Sequence, residues 1–198
     1  MSWASKVLWT EGLLIQPHHF QQADRYAEAL VTGLAHHLVP HGWGFSELEI
    51  DQEALKLGKF AVHACRGLTP DGAVFNVPQA EDHPHALEVP ETVKDCVIYL
   101  TVPERRQGAV EADITGGEKS ASRFAPSELE ISDTMSKDRK AITLAVGKLR
   151  LGFALEVDDL ADQQAIPVAR VIEVGPNGEL ILDQGFMPTC LDYRAAAP

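Results

Sequence analysis

The sequence predicts a mainly β protein, a β-sandwich preceded by one N-terminal α-helix. Three observations lead there. Apolar residues between Pro17 and Leu38 recur every three or four positions, which is the period of one helical face. After Pro40 the pattern changes to short apolar or alternating runs bounded by Gly, Pro, Asp and Asn, the mark of strands joined by turns. Two of those turns carry the residues that tight hairpins need.

In chain order, residues 1–16 form an apolar arm and residues 17–39 the helix. Its face is built from Phe20, Ala23, Ala27, Leu30, Val31, Leu34 and Leu38. Pro17 suits a first helical turn, and Pro40 prevents continuation. The sandwich is expected over 41–188. Its strands are read at Phe45–Ile50, Lys59–Cys65, Ala73–Val77, Val97–Val102, Leu129–Ile131, Ile142–Phe153, Val168–Val174 and Glu179–Leu182. Pro70-Asp71-Gly72 and Gly175-Pro176-Asn177-Gly178 mark hairpins. The polar, aperiodic stretch Glu104–Pro126 reads as a long exposed excursion.

Composition narrows the function. With 198 residues and 45% apolar side chains, the chain has enough material for a core without staples. Lys and Arg number 17 against 29 Asp and Glu, a net charge of -12, which repels phosphate backbones and anionic lipid; nucleic acid is not an expected partner. Cys65, Cys96 and Cys190 are odd in number and lack C-x-x-C spacing, which suits reduced thiols in a cytoplasm. Lys6, Thr10 and Glu11 interrupt the N-terminal apolar run, so neither a signal peptide nor membrane insertion is expected.

The histidines invite a metal or acid–base reading. His18 and His19 diverge by ~100° on a helix, and the segment lacks the i, i+4 pair of a helical zinc site. His83, His85 and Glu88 resemble the H-x-H and Glu that cupin-like metalloenzymes place on adjacent strands, the basis of an alternative reading as a β-sandwich metal-dependent enzyme. Against it, Pro84 disfavours a ladder strand there, and no histidine follows His85; a loop with two histidines is preferred. Glu156, Asp158, Asp159 and Asp162 lack the oxygen spacing and glycine of an EF-hand, so they read as a solvated connector. Neither G-x-S-x-G nor a phosphate loop is present. The expectation is a protein with no catalytic set, metal or cofactor.

What remains is apolar surface at the start. Trp3, Val7, Leu8, Trp9, Leu13, Leu14 and Ile15 precede the helix, and such an arm must be covered, either by the chain's own β core or by another subunit. Aromatic and long aliphatic anchors carry interface energy, so Trp9, Leu13, Leu14, Ile15, His19 and Phe20 are the candidate partner-binding residues.

The segment KVLWTEGLLIQPHHFQQADRY resembles the N-terminal signature of the TssK family, the trimeric baseplate subunits of bacterial type VI secretion. Trp9, Glu11, Gly12, Pro17, His19, Phe20, Gln21, Asp24, Arg25 and Tyr26 carry the likeness. It continues through WGFSELEIDQEALKLGKFAV, RGLTPDGAVFNVP, CVIYLTVP, IPVARVIEV and LILDQGFMPTCL. His18 departs from the family's usual Gln, and Met187-Pro188-Thr189 lacks a common second Pro. The resemblance implies a β-sandwich shoulder like that of phage receptor-binding proteins, with 189–198 beginning a linker to a neck and head that this chain does not include. It further implies a non-enzymatic structural adaptor, cytoplasmic beneath the inner membrane. The shoulder would dock on TssF and TssG, and the full-length trimer would reach TssL and TssM of the TssJLM membrane complex.

Overall fold

The computed structural model describes residues 3–114, 121–135 and 140–196. They fall into two compact units, Met1–Gly42 and Trp43–Pro198.

The first unit is an arm and one helix. The helix, α1 (Pro17–Leu38), has proline at its first turn and extended Gln16 as its N-cap. It ends where the Val39 N–H donates to the Ala35 carbonyl at 2.8 Å, and Pro40 follows. No residue of α1 is buried, although its sequence carries an apolar face.

The second unit is β-rich. Its elements are β1 (Gly44–Ile50), α2 (Gln52–Lys56), β2 (Lys59–Phe60), β3 (Val62–Leu68), β4 (Val74–Val77), β5 (Leu87–Glu88), β6 (Lys94–Pro103), β7 (Phe124–Ser132), β8 (Ala141–Leu149), β9 (Gly152–Leu155), β10 (Gln163–Val174) and β11 (Leu180–Leu182). The sheets are β1-β3-β4 and β11-β10-β6-β9, with β2-β5 and β7-β8 as separate pairs. Phe45, Cys65, Phe75 and Val77 from the first sheet join Ile98, Leu100, Val102, Ile166 and Val171 from the second in one core. This is the sandwich that the alternating runs predict. Period-2 burial is plain along β6, where Cys96, Ile98, Leu100 and Val102 are all buried. The Phe45–Phe75 and Phe60–Phe153 rings meet edge to face at 5.8 and 5.0 Å, a favoured aromatic geometry.

Both marked turns form. Between β3 and β4 the Gly72 N–H donates to the Thr69 carbonyl at 2.9 Å, and between β10 and β11 Gly178 takes a φ of 81°. Gly44, at φ 122°, lets the chain's end come close: a Cβ there would stand 2.4 Å from the Thr189 carbonyl oxygen. Cys190 bridges Phe45 in parallel fashion, and Ala195 is buried in the core.

Several expected boundaries change. The run Lys59–Cys65 divides at Ala61 because Phe60 pairs with Leu87 in β5 while Val62 pairs with Ile50 in β1. Ile142–Phe153 likewise divides: Leu149 still faces Phe124, but Gly152 faces Thr101, so the chain changes sheets across Arg150 and Leu151. Leu129–Ile131 lies towards the end of a longer strand that starts at Phe124, inside the stretch expected as exposed excursion to Pro126. Arg123, at its base, is buried; residues 115–120 of that stretch lie outside the described residues. The helix α2 was not expected. Asp51 caps it, accepting the Glu53 and Ala54 N–H groups at 2.9 and 3.0 Å, a strong N-cap arrangement.

Candidate functional site

The arm does not trail from the helix; it folds back along it. Gln22 Nε2 donates to the Trp3 and Ser5 carbonyls at 2.9 and 2.7 Å, and Arg25 Nη1 donates to Gln22 Oε1 at 2.9 Å. The Arg25 guanidinium lies 5.4 Å from the Trp3 ring centroid, within cation–π range. Gly12 supplies a left-handed φ of 79°, which lets the chain turn before Pro17. His19 then closes the helix start: its Nδ1 accepts the Gln16 N–H at 3.1 Å. That places the proton on Nε2 if the ring is neutral.

Trp9 sits beside this first turn, 6.0 Å from the His19 ring and 6.4 Å from Phe20. Trp9, His19 and Phe20 therefore form one aromatic group, and Leu13 is half-buried near it in sequence. Leu14 is 77% exposed, and Leu8, Ile15 and Phe20 are exposed as well. Among the signature residues, Pro17, Gly12, His19 and Arg25 have structural roles in holding the arm. Glu11, Gln21 and Asp24 are exposed and Tyr26 is half-buried. Nothing in the sequence marks Gln22, whose two carbonyl contacts are 19 and 17 residues away; no local pattern signals such a long-range amide.

The sequence also groups His83, His85 and Glu88. His83 Nε2 stands 3.1 Å from the His63 carbonyl oxygen, and Glu88 in β5 pairs with Lys59 at 2.8 Å. Among the described residues no three His, Cys, Asp or Glu side chains group as metal ligands, so the structure does not bring the cupin-like set together. His83 and His85 do lie in a loop, as expected from Pro84. In the acidic connector Asp158 and Asp159 build turns, accepting the Leu155 N–H at 2.7 Å and the Ala161 N–H at 3.0 Å, while Glu156 reaches across to accept the Val97 N–H of β6 at 3.2 Å. Asp162 pairs with Arg106.

The thiols are free. Burial, with the Glu47 charge adding to it, pushes the Cys65 thiol up to about 12, far from a reactive thiolate. Among the described residues no helix is long and apolar enough to cross a membrane.

A family model described as "Bacterial Type VI secretion, VC_A0110, EvfL, ImpJ, VasE" matches residues 19–198. The chain is 37% identical over all 198 residues to the type VI secretion system baseplate component TssK1 of Pseudomonas aeruginosa PAO1, covering 45% of that protein. A crystal structure of TssK superposes with a TM-score of 0.90 at 32% identity, over 98% of this chain and 44% of that one. A cryo-electron microscopy structure of the TssK-TssF-TssG baseplate subcomplex shares the fold, with a TM-score of 0.82 at 20% identity over 97% of this chain and 64% of that one. The chain thus spans less than half the length of the curated relative it matches.

Proposed function

Because this chain belongs to the TssK family of bacterial type VI secretion, we propose that it works as the family's shoulder, a non-enzymatic docking module that seats on the TssF/TssG wedge of the baseplate. The observation that carries this reading is the exposed apolar group on a preformed arm and helix: Trp9, Leu14, Ile15 and Phe20 are all more than half exposed, with Leu13 and His19 beside them in sequence. Exposed aromatic and long aliphatic side chains of this kind mark interaction sites. The hydrogen bonds from Gln22 hold the arm before any partner arrives, which lowers the ordering cost of binding.

In the longer protein, a neck and head would follow residues 189–198. They would hold the trimer and reach TssL and TssM of the TssJLM membrane complex, placing the molecule in the cytoplasm beneath the inner membrane. Subunit capture tests the division of labour. Immobilised chain is expected to retain purified TssF–TssG and to leave the cytoplasmic portions of TssL and TssM in solution. Retention of TssL with TssF–TssG unbound overturns the reading.

A further inference from the structure

The end of β8 and the loop before β5 enclose a cleft that the docking reading does not use. Glu81 is buried, and its carboxylate accepts the Leu149 N–H at 2.5 Å, which pins the loop to the strand. On either side of Leu149 stand Lys148 and Arg150, and Asp82 pairs with Lys148 at 2.5 Å. Between loop and strand lies a cleft of about 300 Å³ whose wall includes His83, His85, Thr101, Lys148, Arg150 and Gln163.

In a molecule of net charge -12, this wall brings two cations and two imidazoles together. Lys148 is matched by Asp82 in the wall, and Glu81 lies bonded to the Leu149 N–H behind it. Among the described residues Arg150 pairs with no carboxylate, and its Nε is buried without an acceptor. A buried donor left unpaired is costly, more so on a charged group. An acceptor bound at the guanidinium in the cleft would make a charge-assisted bond, the strongest kind available to it.

The group that complements such a wall is an oxyanion, and a small one, since the volume sits at the lower end of ligand pockets, on the order of 300 Å³. The overall negative charge repels polyanions such as nucleic acid or an acidic membrane, whereas an isolated carboxylate on a polypeptide meets only the local field. We propose that this cleft receives the carboxylate of an acidic side chain from a partner protein, with Arg150 as the main contact and Lys148 shared between that group and Asp82. The proposal stands independently of where the N-terminal unit docks.

Titration of the ¹⁵N-labelled chain tests it, using a blocked peptide of alternating Glu and Gly, the same peptide with Gln for Glu, and inorganic phosphate. The Glu peptide is expected to shift the Leu149–Gly152 amide signals saturably and the Gln peptide to leave them in place. Arg150→Gln should weaken the Glu peptide about tenfold, the loss of one charge-assisted contact. Arg150→Lys, which keeps charge but not the fork, should lose less and serves if Arg150→Gln does not fold. Absence of a saturable shift, or a shift undiminished by either variant, overturns the proposal. Phosphate binding as tightly as the Glu peptide also overturns it, since the cleft would then be a general anion site.

Discussion

Leu14→Asp separates docking from folding because Leu14 has little packing to lose. The side chain is 77% exposed, so its removal should change stability by no more than about 0.5 kcal/mol, the usual range for surface changes. Docking would bury what is now in water. Full burial of a leucine is worth ~1.5–3 kcal/mol, and three quarters of that is about 1–2 kcal/mol. An aspartate placed in the same desolvated position adds roughly 1 kcal/mol or more of unpaired-charge cost. Together they give about 2–3 kcal/mol, or roughly 30- to 150-fold in Kd. Isothermal calorimetry against purified TssF–TssG reads the affinity, and thermal unfolding followed by circular dichroism reads the fold. Leu57→Asp is the matched control, because Leu57 is 75% exposed but lies in the β-rich unit; its affinity should stay within about twofold. A variant Leu14→Asp that folds normally and binds normally refutes the placement of the docking surface. One that unfolds several degrees earlier shows that Leu14 belongs to an intramolecular core instead.

Three further outcomes are expected. Arg123 is 4% exposed and grips Asp71 at 2.8 and 3.2 Å while donating to the Pro103 carbonyl at 2.7 Å, so Arg123→Met leaves a half-desolvated carboxylate behind. It should cost about 3 kcal/mol, or roughly 6–12 °C in Tm, with partial recovery on adding Asp71→Asn; a loss below about 1 kcal/mol in urea unfolding contradicts the pair's importance. Two carboxylates give opposite pH signatures. Desolvation raises Asp71, but the Thr69 hydroxyl and Arg123 overcome it and hold the group below its ordinary 3.8, so its stabilisation is present above that value and is lost as pH falls through the depressed folded pKa. Burial raises Glu81 above 4.5 despite the Leu149 N–H, so its contribution is full below 4.5 and is lost as pH rises through the raised folded pKa; stability–pH curves of Asp71→Asn and Glu81→Gln should each flatten on their own side. Cys65 should resist maleimide in the folded chain at mildly alkaline pH, as mass spectrometry of the peptides would show, and rapid labelling would mean that the sandwich opens there.

What could be read in advance divides by the range of the interaction involved. The helix α1 was legible because its period and its flanking prolines are local signals. The splits at Ala61 and Arg150 were not, since alternation runs on unbroken while the pairing partner changes. Pro126 hid the start of β7, yet a two-stranded ribbon leaves each strand an open edge where a missing N–H is tolerated. Pro167 behaves similarly: β11 pairs with β10 only from Val171 onward, and the register with β6 shifts just after the proline. At the candidate surface, Trp9, Leu14 and Phe20 stood out from apolarity alone. The cleft could not be found that way, because Lys148 and Arg150 lie more than 60 positions from His83 and meet it only through the fold; two basic residues at strand spacing were the sole trace.

The pairing of β6 with β10 also sets a timetable for synthesis. β6 ends at Pro103, and its main partner strand is complete only at Val174. At ~5–20 residues per second, the ribosome needs about 4–14 s to span that gap. For that interval the nascent run Cys96–Val102 lacks its long partner β10, and only the four-residue β9, complete at Leu155, reaches it earlier. A growing chain with such an apolar segment is a substrate for ribosome-associated holdases, and the yield of folded protein should depend on them more than its final stability suggests.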